Sequence, residues 1–458
     1  MAQSTHGAVD CIVVGAGFAG LCAAAKLEAE GFRVKVLEAR DRVGGRTESG
    51  EIAGLTVDLG GMWVGPTQTA LSSLGETLGA KTYPTFLQGR SVGRVKNRRV
   101  EVEGESLENE IGLVSKVKLG LLIAKLEKIG SEIDPGSPWE SALAERLDRH
   151  TVASWADRNI GDRNVRTLVF FIVRSVFCCE PEDLSMLFFL FYLTSAGGLE
   201  VLVQAGPGGA QNHLYVGGLH QLAVKLADRL RSEIVFGAEV SAITQSETGV
   251  RVETSEADVY SAAAVIMTAP PPLVNLMRFD PPLPAAREEL LKRQVMGACI
   301  KVWIAYETPF WREQGLNGSL VDDRNDVAPV FDVTPPGASV GLLSAFFDAK
   351  AAVDWKDRTP EARRDEVLRT LVAAFGDKAA EPVDFIERNW CEETFSGGCY
   401  GAYMPPGAMT KYGASLRRPH GRVFWAGTET SPVWSGYIDG AIRSGEAAAM
   451  DVAEFLKH

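Results

Sequence analysis

Three glycines, Gly15, Gly17 and Gly20, stand between the β-branched run Val9 to Val14 and the alanine-rich run Leu21 to Glu30. That placement suits a phosphate. In such a turn the first glycine permits the tight bend, the second lets a pyrophosphate approach the backbone, and the third allows close packing of helix on strand. The N–H groups at the helix start, here Phe18 and Ala19, then face the negative charge. Glu38 ends the next strand-like run, Arg33 to Glu38, eighteen residues past Gly20, where a carboxylate can accept from a ribose hydroxyl. Its charge repels a 2′-phosphate, which argues against NADP. The glycine pattern alone also fits a turn without a ligand, but strand, helix and acid in this order favour a nucleotide. Far along the chain, Lys301 sits inside the apolar run Cys299-Ile300-Lys301-Val302-Trp303. A single ammonium there needs a partner or a task, unless strand alternation turns it to solvent.

These residues need a frame. Residues 8–38 read as strand, turn, helix, strand, which implies a parallel sheet with right-handed crossovers. From about residue 85 to 209 the pattern becomes helical, with amphipathic runs at Leu113 to Ile129 and Trp139 to Arg149 and apolar runs around Leu168 and Leu187. Residues 216–290 return to short helices and strands, such as a helix at Leu219 to Arg231, and end in proline-rich breaks. Strands at Cys299 to Tyr306 and Val340 to Phe347 and a helix at Pro360 to Phe375 follow, and Arg422 to Glu454 again reads strand, glycine turn, alanine-rich helix. At 458 residues the chain is too long for one core. The expected fold class is α/β with two domains: a discontinuous, Rossmann-like cofactor domain from residues 8–84, 216–290 and 393–458, and a mixed sheet-and-helix substrate domain from 85–215 and 291–392.

Composition narrows the function. The 47 basic and 59 acidic residues give a formal charge of −12, which argues against a nucleic-acid partner. The local basic run Lys96-Asn97-Arg98-Arg99 reads as a solvated turn. Seven scattered cysteines, without a CxxC pair or metal-ligand spacing, point to reduced thiols and no metal. No secretory signal opens the chain, and the apolar runs Leu168 to Val173 and Leu184 to Leu193 fall short of the ~20 residues of a membrane span.

Several further motifs carry a resemblance. The run Leu37-Glu38-Ala39-Arg40-Asp41-Arg42-Val43-Gly44-Gly45-Arg46-Thr47, then Asp58-Leu59-Gly60-Gly61, Asn389-Trp390-Cys391-Glu392-Glu393, Ser396-Gly397-Gly398-Cys399-Tyr400, Ala426-Gly427-Thr428-Glu429-Thr430 and Trp434-Ser435-Gly436-Tyr437 resemble the flavin-containing monoamine oxidase family, over most of the chain. The resemblance implies FAD, held by the glycine turn with Glu38, Arg40, Gly45, Arg46, Gly61, Met62, Trp63, Val240, Trp390, Thr428, Glu429 and Ile438. Arg46 can meet phosphate oxygens as a fork-shaped donor. Tyr400 and Tyr437 match the two aromatic residues that stand before the flavin and hold the substrate nitrogen between electron-rich faces. Cys399 matches the cysteine that is thioether-linked to the flavin in the mitochondrial members, so a covalent cofactor is expected. Lys301 matches the lysine that holds a water against flavin N5, and Gln211 and Phe331 fall beside the substrate pocket.

The implied reaction oxidises a primary or secondary monoamine to an imine, hydrolysed to an aldehyde or ketone, while O2 becomes hydrogen peroxide. Two alternatives stay open. An L-amino-acid or polyamine oxidase on the same scaffold would need an arginine or carboxylates at the pocket, and a flavin-binding protein without turnover would not need Lys301 or the tyrosine pair. The segment Leu199 to Gly209, with its Gly206-Pro207 turn, departs from the mitochondrial enzymes, which leaves the preferred amine unread. The chain stops at His458, soon after the helix that precedes their membrane anchor. A cytoplasmic protein without a membrane partner is expected, with a homodimer as the default assembly.

Overall fold

The computed structural model describes residues 7–95, 98–104, 113–322 and 326–458. Two large sheets organise the chain. The first runs in the order Glu233–Val235, Val34–Leu37, Val9–Val14, Val259–Met267, Val250–Thr254, Val240–Gln245 and Arg278–Asp280, with Val423–Trp425 also pairing Val259–Met267. Val9–Val14 is parallel to both neighbours. A strand so placed is covered on both faces, which is why its buried part, Cys11 to Val14, is continuously apolar. One face packs under the helices Phe18–Ala29 and Ile438–Lys457 through Leu21, Leu27, Ala449 and Val452. The helices touch because Gly445 has no side chain: a Cβ there would lie 2.0 Å from the Ala19 carbonyl oxygen. All strands of this sheet come from residues 8–84, 216–290 and 393–458.

The second sheet runs Asp384–Asn389, Cys299–Tyr306, Gly341–Asp348, Val330–Asp332, Leu316–Val321, Arg90–Val95 and Arg98–Glu103. Its central strands Cys299–Tyr306 and Gly341–Asp348 are buried at every position. Alternation explains this. Ile300, Val302 and Ile304 point to the helix Pro360–Phe375 with Val367 and Leu371, whereas Cys299, Trp303 and Phe346 point the other way, toward Trp390 and Cys399. A small sheet links the two regions, pairing His213–Tyr215 with Trp63–Val64 and Thr82–Pro84.

A helical layer completes the molecule: Leu113–Gly130, Val152–Asn159, Arg163–Phe177 and Met186–Ser195. Met186–Ser195 is apolar all round because it is the centre of that layer, buried at nearly every position. The amphipathic run Trp139 to Arg149 is not one helix. It splits into a short 3-10 turn Pro138–Glu140 and the helix Ala144–Asp148, because the Ser141 hydroxyl donates to the Glu132 carbonyl and accepts from the Leu143 N–H, competing with helical bonding. The run from Leu219 likewise ends early, as helix His220–Ala227. Lys96 and Asn97 lie outside the described residues, while Arg99 bonds to the Ala374 carbonyl and pairs with Glu101. Among the described residues no helix is long and apolar enough to cross a membrane.

Candidate active site

A cavity of about 530 Å³ is lined by residues of both sheets and of the helix Arg163–Phe177. Its wall begins at the glycine turn. Gly15 takes φ +103°, and a Cβ there would lie 2.5 Å from Thr268 Oγ1. At Gly20 a Cβ would lie 1.9 Å from the Gly15 carbonyl oxygen, so this glycine sets helix against strand and is not on the wall. Gly17 differs: nothing lies nearer to its Cβ position than Gly45 Cα at 3.8 Å, so the backbone faces open cavity. The helix that follows has no side-chain cap and no acid in its first turn, leaving its N–H groups and dipole for an anion.

Gly44 donates its N–H to the Ala16 carbonyl at 2.8 Å, which brings the second glycine pair beside the first. The Glu38 carboxylate, on the wall, accepts from the Ala16 N–H at 2.6 Å and the Arg40 N–H at 3.0 Å. Oε1 also accepts from Arg40 Nη1 at 3.5 Å, and Oε2 keeps a lone pair for a ribose hydroxyl. Arg40 donates to Ser396 Oγ at 2.8 Å and pairs with Glu393 at 3.2 Å, while its buried Nε has no partner. An open backbone cradle, an uncapped helix start and a buried orphan guanidinium nitrogen together fit an adenine dinucleotide with its pyrophosphate. Val240 lies on the same end of the wall.

Arg46, on the wall, also has partners within the protein. Its two terminal nitrogens grip the Glu429 carboxylate at 2.6 and 3.1 Å, and Nη1 also donates to the Tyr400 carbonyl at 2.9 Å. The fork meets a carboxylate of the protein itself. Burial works against the Arg46 charge, but Glu429 outweighs it and the guanidinium pKa is raised. Glu429 is not on the wall and acts through Arg46 and the Ala402 N–H, so the pair fixes the backbone that carries Tyr400.

The middle of the cavity collects residues from far apart in the chain: Phe18, Ala19, Gly45, Gly61, Met62, Trp390, Cys399, Thr428 and Ile438. Gly60 allows the approach of Trp390, whose ring carbon would lie 3.0 Å from a Cβ there, and Trp390 Nε1 donates to the Leu59 carbonyl at 2.9 Å. Lys301 points inward, 2 % exposed, and donates to the Asp58 carbonyl at 2.7 Å, the Gly60 carbonyl at 2.8 Å and Met62 Sδ at 3.0 Å. All three ammonium protons are used. Burial lowers its pKa to about 8, with Asp58 opposing the shift. Asp58 is also fixed, by the N–H groups of Leu219 and His220 at 2.7 and 3.0 Å. Cys399 is buried, donates its N–H to the Gly297 carbonyl at 2.9 Å, and has a thiol pKa pushed well up by burial.

Tyr400 and Tyr437 stand on the wall beyond. The Tyr437 carbonyl accepts from Thr428 Oγ1 at 2.7 Å, and its ring lies 4.8 Å from Trp434 and 5.9 Å from Tyr192. Burial raises the phenol pKa of both tyrosines, so they stay neutral. The far end is apolar. Phe331 meets Trp63 edge-on at 5.0 Å, and Phe171, Ile172, Leu202 and Phe346 close the space with Gln211, whose Nε2 is spent on the Leu202 carbonyl at 3.0 Å. Among the described residues the charged groups on the wall are Glu38, Arg40, Arg46, Glu239 and Lys301; the Lys301 ammonium lies 5.7 Å from the Phe346 ring centroid, and the two carboxylates, Glu38 and Glu239, belong to the nucleotide end with Val240. Sequence reasoning missed Tyr192, Thr268 and the wall of Arg163–Phe177. The helix had a signal, because Phe171, Ile172, Ser175 and Val176 repeat at helical spacing. Tyr192, inside a uniformly apolar run, had none.

A nucleotide cradle that opens through a glycine- and tryptophan-lined middle into an aromatic chamber without a carboxylate defines a flavoprotein oxidoreductase cleft. The family model described as flavin containing amine oxidoreductase matches residues 18–453. The chain is 37% identical over 448 residues to the flavin-containing amine oxidase B of Cavia porcellus, covering 97% of this chain and 86% of that one. Cyclohexylamine oxidase from Brevibacterium oxydans IH-35A superposes with a TM-score of 0.93 at 33% identity, covering 99% of this chain and 100% of that one. A putrescine oxidase bound to putrescine does so with a TM-score of 0.93 at 32% identity, covering 98% and 99%. The chain belongs to the flavin-containing amine oxidoreductase family, and its activity is FAD-dependent amine oxidation.

Proposed function

We propose that this enzyme oxidises apolar monoamines, with O2 as the final acceptor and an imine and hydrogen peroxide as products. The observation that carries this is the apolar lining of Phe171, Ile172, Leu202 and Phe331, with no carboxylate or arginine among them. A diamine would bury its second ammonium there without a carboxylate, and an amino acid would bury its carboxylate without an arginine; either cost is several kcal/mol (order of magnitude). Simple hydrophobic amines meet neither penalty.

Tyr400 and Tyr437 hold the amine nitrogen with their ring faces and keep their protons at working pH. FAD, when bound, supplies the two-electron acceptor chemistry. Gly17, Gly45, Glu38 and Arg40 would hold its nucleotide, and Lys301 fixes the Asp58 to Met62 segment of the wall while placing its positive charge at the cavity. Cys399, on the wall, would hold the cofactor through a thioether. Acid precipitation is expected to leave the yellow colour in the pellet, whereas Cys399→Ala releases it to the supernatant; flavin released from the parent protein would refute the bond.

The test is anaerobic mixing with benzylamine, cyclohexylamine, putrescine and L-leucine while the visible flavin band is followed. Bleaching by the first two alone supports the proposal. Faster bleaching by putrescine or leucine overturns the substrate class and leaves the fold unaffected.

A further inference from the structure

Cys299 opens its strand and Asp348 closes the neighbouring one, and the two are cross-strand partners. Their side chains therefore leave the same face of the sheet and meet. Cys178 ends the helix Arg163–Phe177 in a left-handed conformation, φ 51°. Gly297 lets it approach: a Cβ at that glycine would lie 2.8 Å from Cys178 Cβ and 2.7 Å from the Phe177 carbonyl oxygen. The two sulfurs and a carboxylate oxygen of Asp348 lie within 4.8 Å of one another. The three residues are 1 %, 1 % and 5 % exposed. Cys178 Sγ donates to Asp348 Oδ1 at 3.5 Å, and Asp348 Oδ2 is buried with no partner. None of this follows from cysteine spacing, because Cys178 lies more than a hundred positions from Cys299 along the chain.

We propose that Cys178, Cys299 and Asp348 form a binding site for a thiophilic divalent cation of the zinc class, and that its occupation slows amine oxidation. Two thiols and a carboxyl are a mixed set that suits a borderline-soft ion. Bonds of about 2.0 to 2.3 Å place the ligand atoms of one tetrahedral ion about 3.4–3.8 Å apart, so the cluster needs only a small contraction. Three protein ligands leave a fourth position open. Binding exchanges one divalent cation for three protons, giving two thiolates and a carboxylate with a net site charge of −1 and no redox change. Lys301, on the same face of the Cys299 strand and already within the field of Cys299, offsets that charge. An unsatisfied carboxyl oxygen in a dry site is costly, and a cation removes that cost.

The site is coupled to the reaction through Gly297. Its carbonyl accepts from the Cys399 N–H at 2.9 Å, and its N–H donates to the Gly401 carbonyl at 3.2 Å. Contraction around an ion moves the backbone on either side of Tyr400. Cys299 is on the cavity wall, which gives a route in, whereas Cys178 is not on the wall.

The holoenzyme is titrated with Cd2+ while the ultraviolet thiolate-to-cadmium band, the cadmium retained after gel filtration and amine oxidation are followed. One retained ion per chain, a band that rises with it, and inhibition reversed by a chelator are expected. Cys178→Ser should keep its oxidase activity and need on the order of tenfold or more Cd2+ for the same band and inhibition. If that variant fails to hold flavin, Asp348→Asn, which keeps both thiols, must show weakened retention. Absence of the band, or equal cadmium retention in parent and variant, overturns the site whether or not the amine substrate has been assigned correctly.

Discussion

Lys301→Met is expected to retain FAD and to slow its reoxidation by dioxygen on the order of a hundredfold, with a smaller effect on anaerobic reduction by amine. Dioxygen becomes anionic as it takes up electrons, and a fixed positive charge in a dry cavity stabilises that change more than water would. Lys301 is the cation placed for this. It is buried, held by three acceptors, and with a pKa of about 8 it is mostly charged at neutral pH. Methionine preserves volume and removes the charge. The structural cost is bounded, because the Asp58 carbonyl keeps its bond from Trp303 Nε1 at 3.0 Å, and of the two acceptors that lose a partner, the Gly60 carbonyl and the Met62 thioether, the thioether is a weak one. An orphaned acceptor costs about 1–3 kcal/mol, less than the stability of an ordinary domain. Stopped-flow mixing of the amine-reduced protein with aerated buffer gives the rate directly. Reoxidation as fast as in the parent would remove Lys301 from the reaction and leave it a structural tether.

The tether and the proposed charge could not be separated in the sequence, and the reason is physical. An isolated lysine in an apolar strand announces that something pays for its burial, but the payers, two carbonyls and a thioether from residues 58–62, are more than two hundred positions away. The same limit recurs across the site. Local rules placed the strands Val9–Val14 and Cys299–Tyr306 and the helix Pro360–Phe375, because burial on both faces, glycine turns and helix caps act over a few residues. The run Trp139 to Arg149 failed because one serine hydroxyl found a carbonyl nine residues back. Arg46 was legible as a fork and not as the partner of Glu429, since an arginine's acceptor is chosen by tertiary packing. The Cys178, Cys299 and Asp348 cluster was invisible for the same reason, as strand register and a helix end assemble it. What the motifs could supply was the set of wall residues; what they could not supply was which of those residues already have partners.

Between pH 6.5 and 8.5 kcat/KM for an apolar monoamine is expected to rise roughly a hundredfold, about tenfold per unit, because an alkylammonium titrates near 10.4 and only its neutral form suits a chamber without a carboxylate to pair it. No phenol interferes, since burial holds Tyr400 and Tyr437 protonated over this range. Lys301 adds a limb of opposite sign. It loses its proton as the pH passes about 8, so turnover in air should level off or fall there while anaerobic reduction keeps rising. Its effect on stability follows from the direction of the shift. The folded value lies below the ordinary lysine value, so below about pH 8 both states are protonated and the penalty of a buried ammonium is complete. From there to about 10.4 the unfolded chain binds the extra proton, and the contribution of this residue shifts toward the folded state as pH rises. Lys301→Met should abolish both the alkaline limit on aerobic turnover and that increment in Tm, while leaving the substrate-controlled rise in reduction rate intact. A rise that disappears in the variant would place the controlling proton on Lys301 instead of the amine, and a flat profile in the parent would mean that the chamber accepts the charged amine, with Tyr400 and Tyr437 solvating it as a cation.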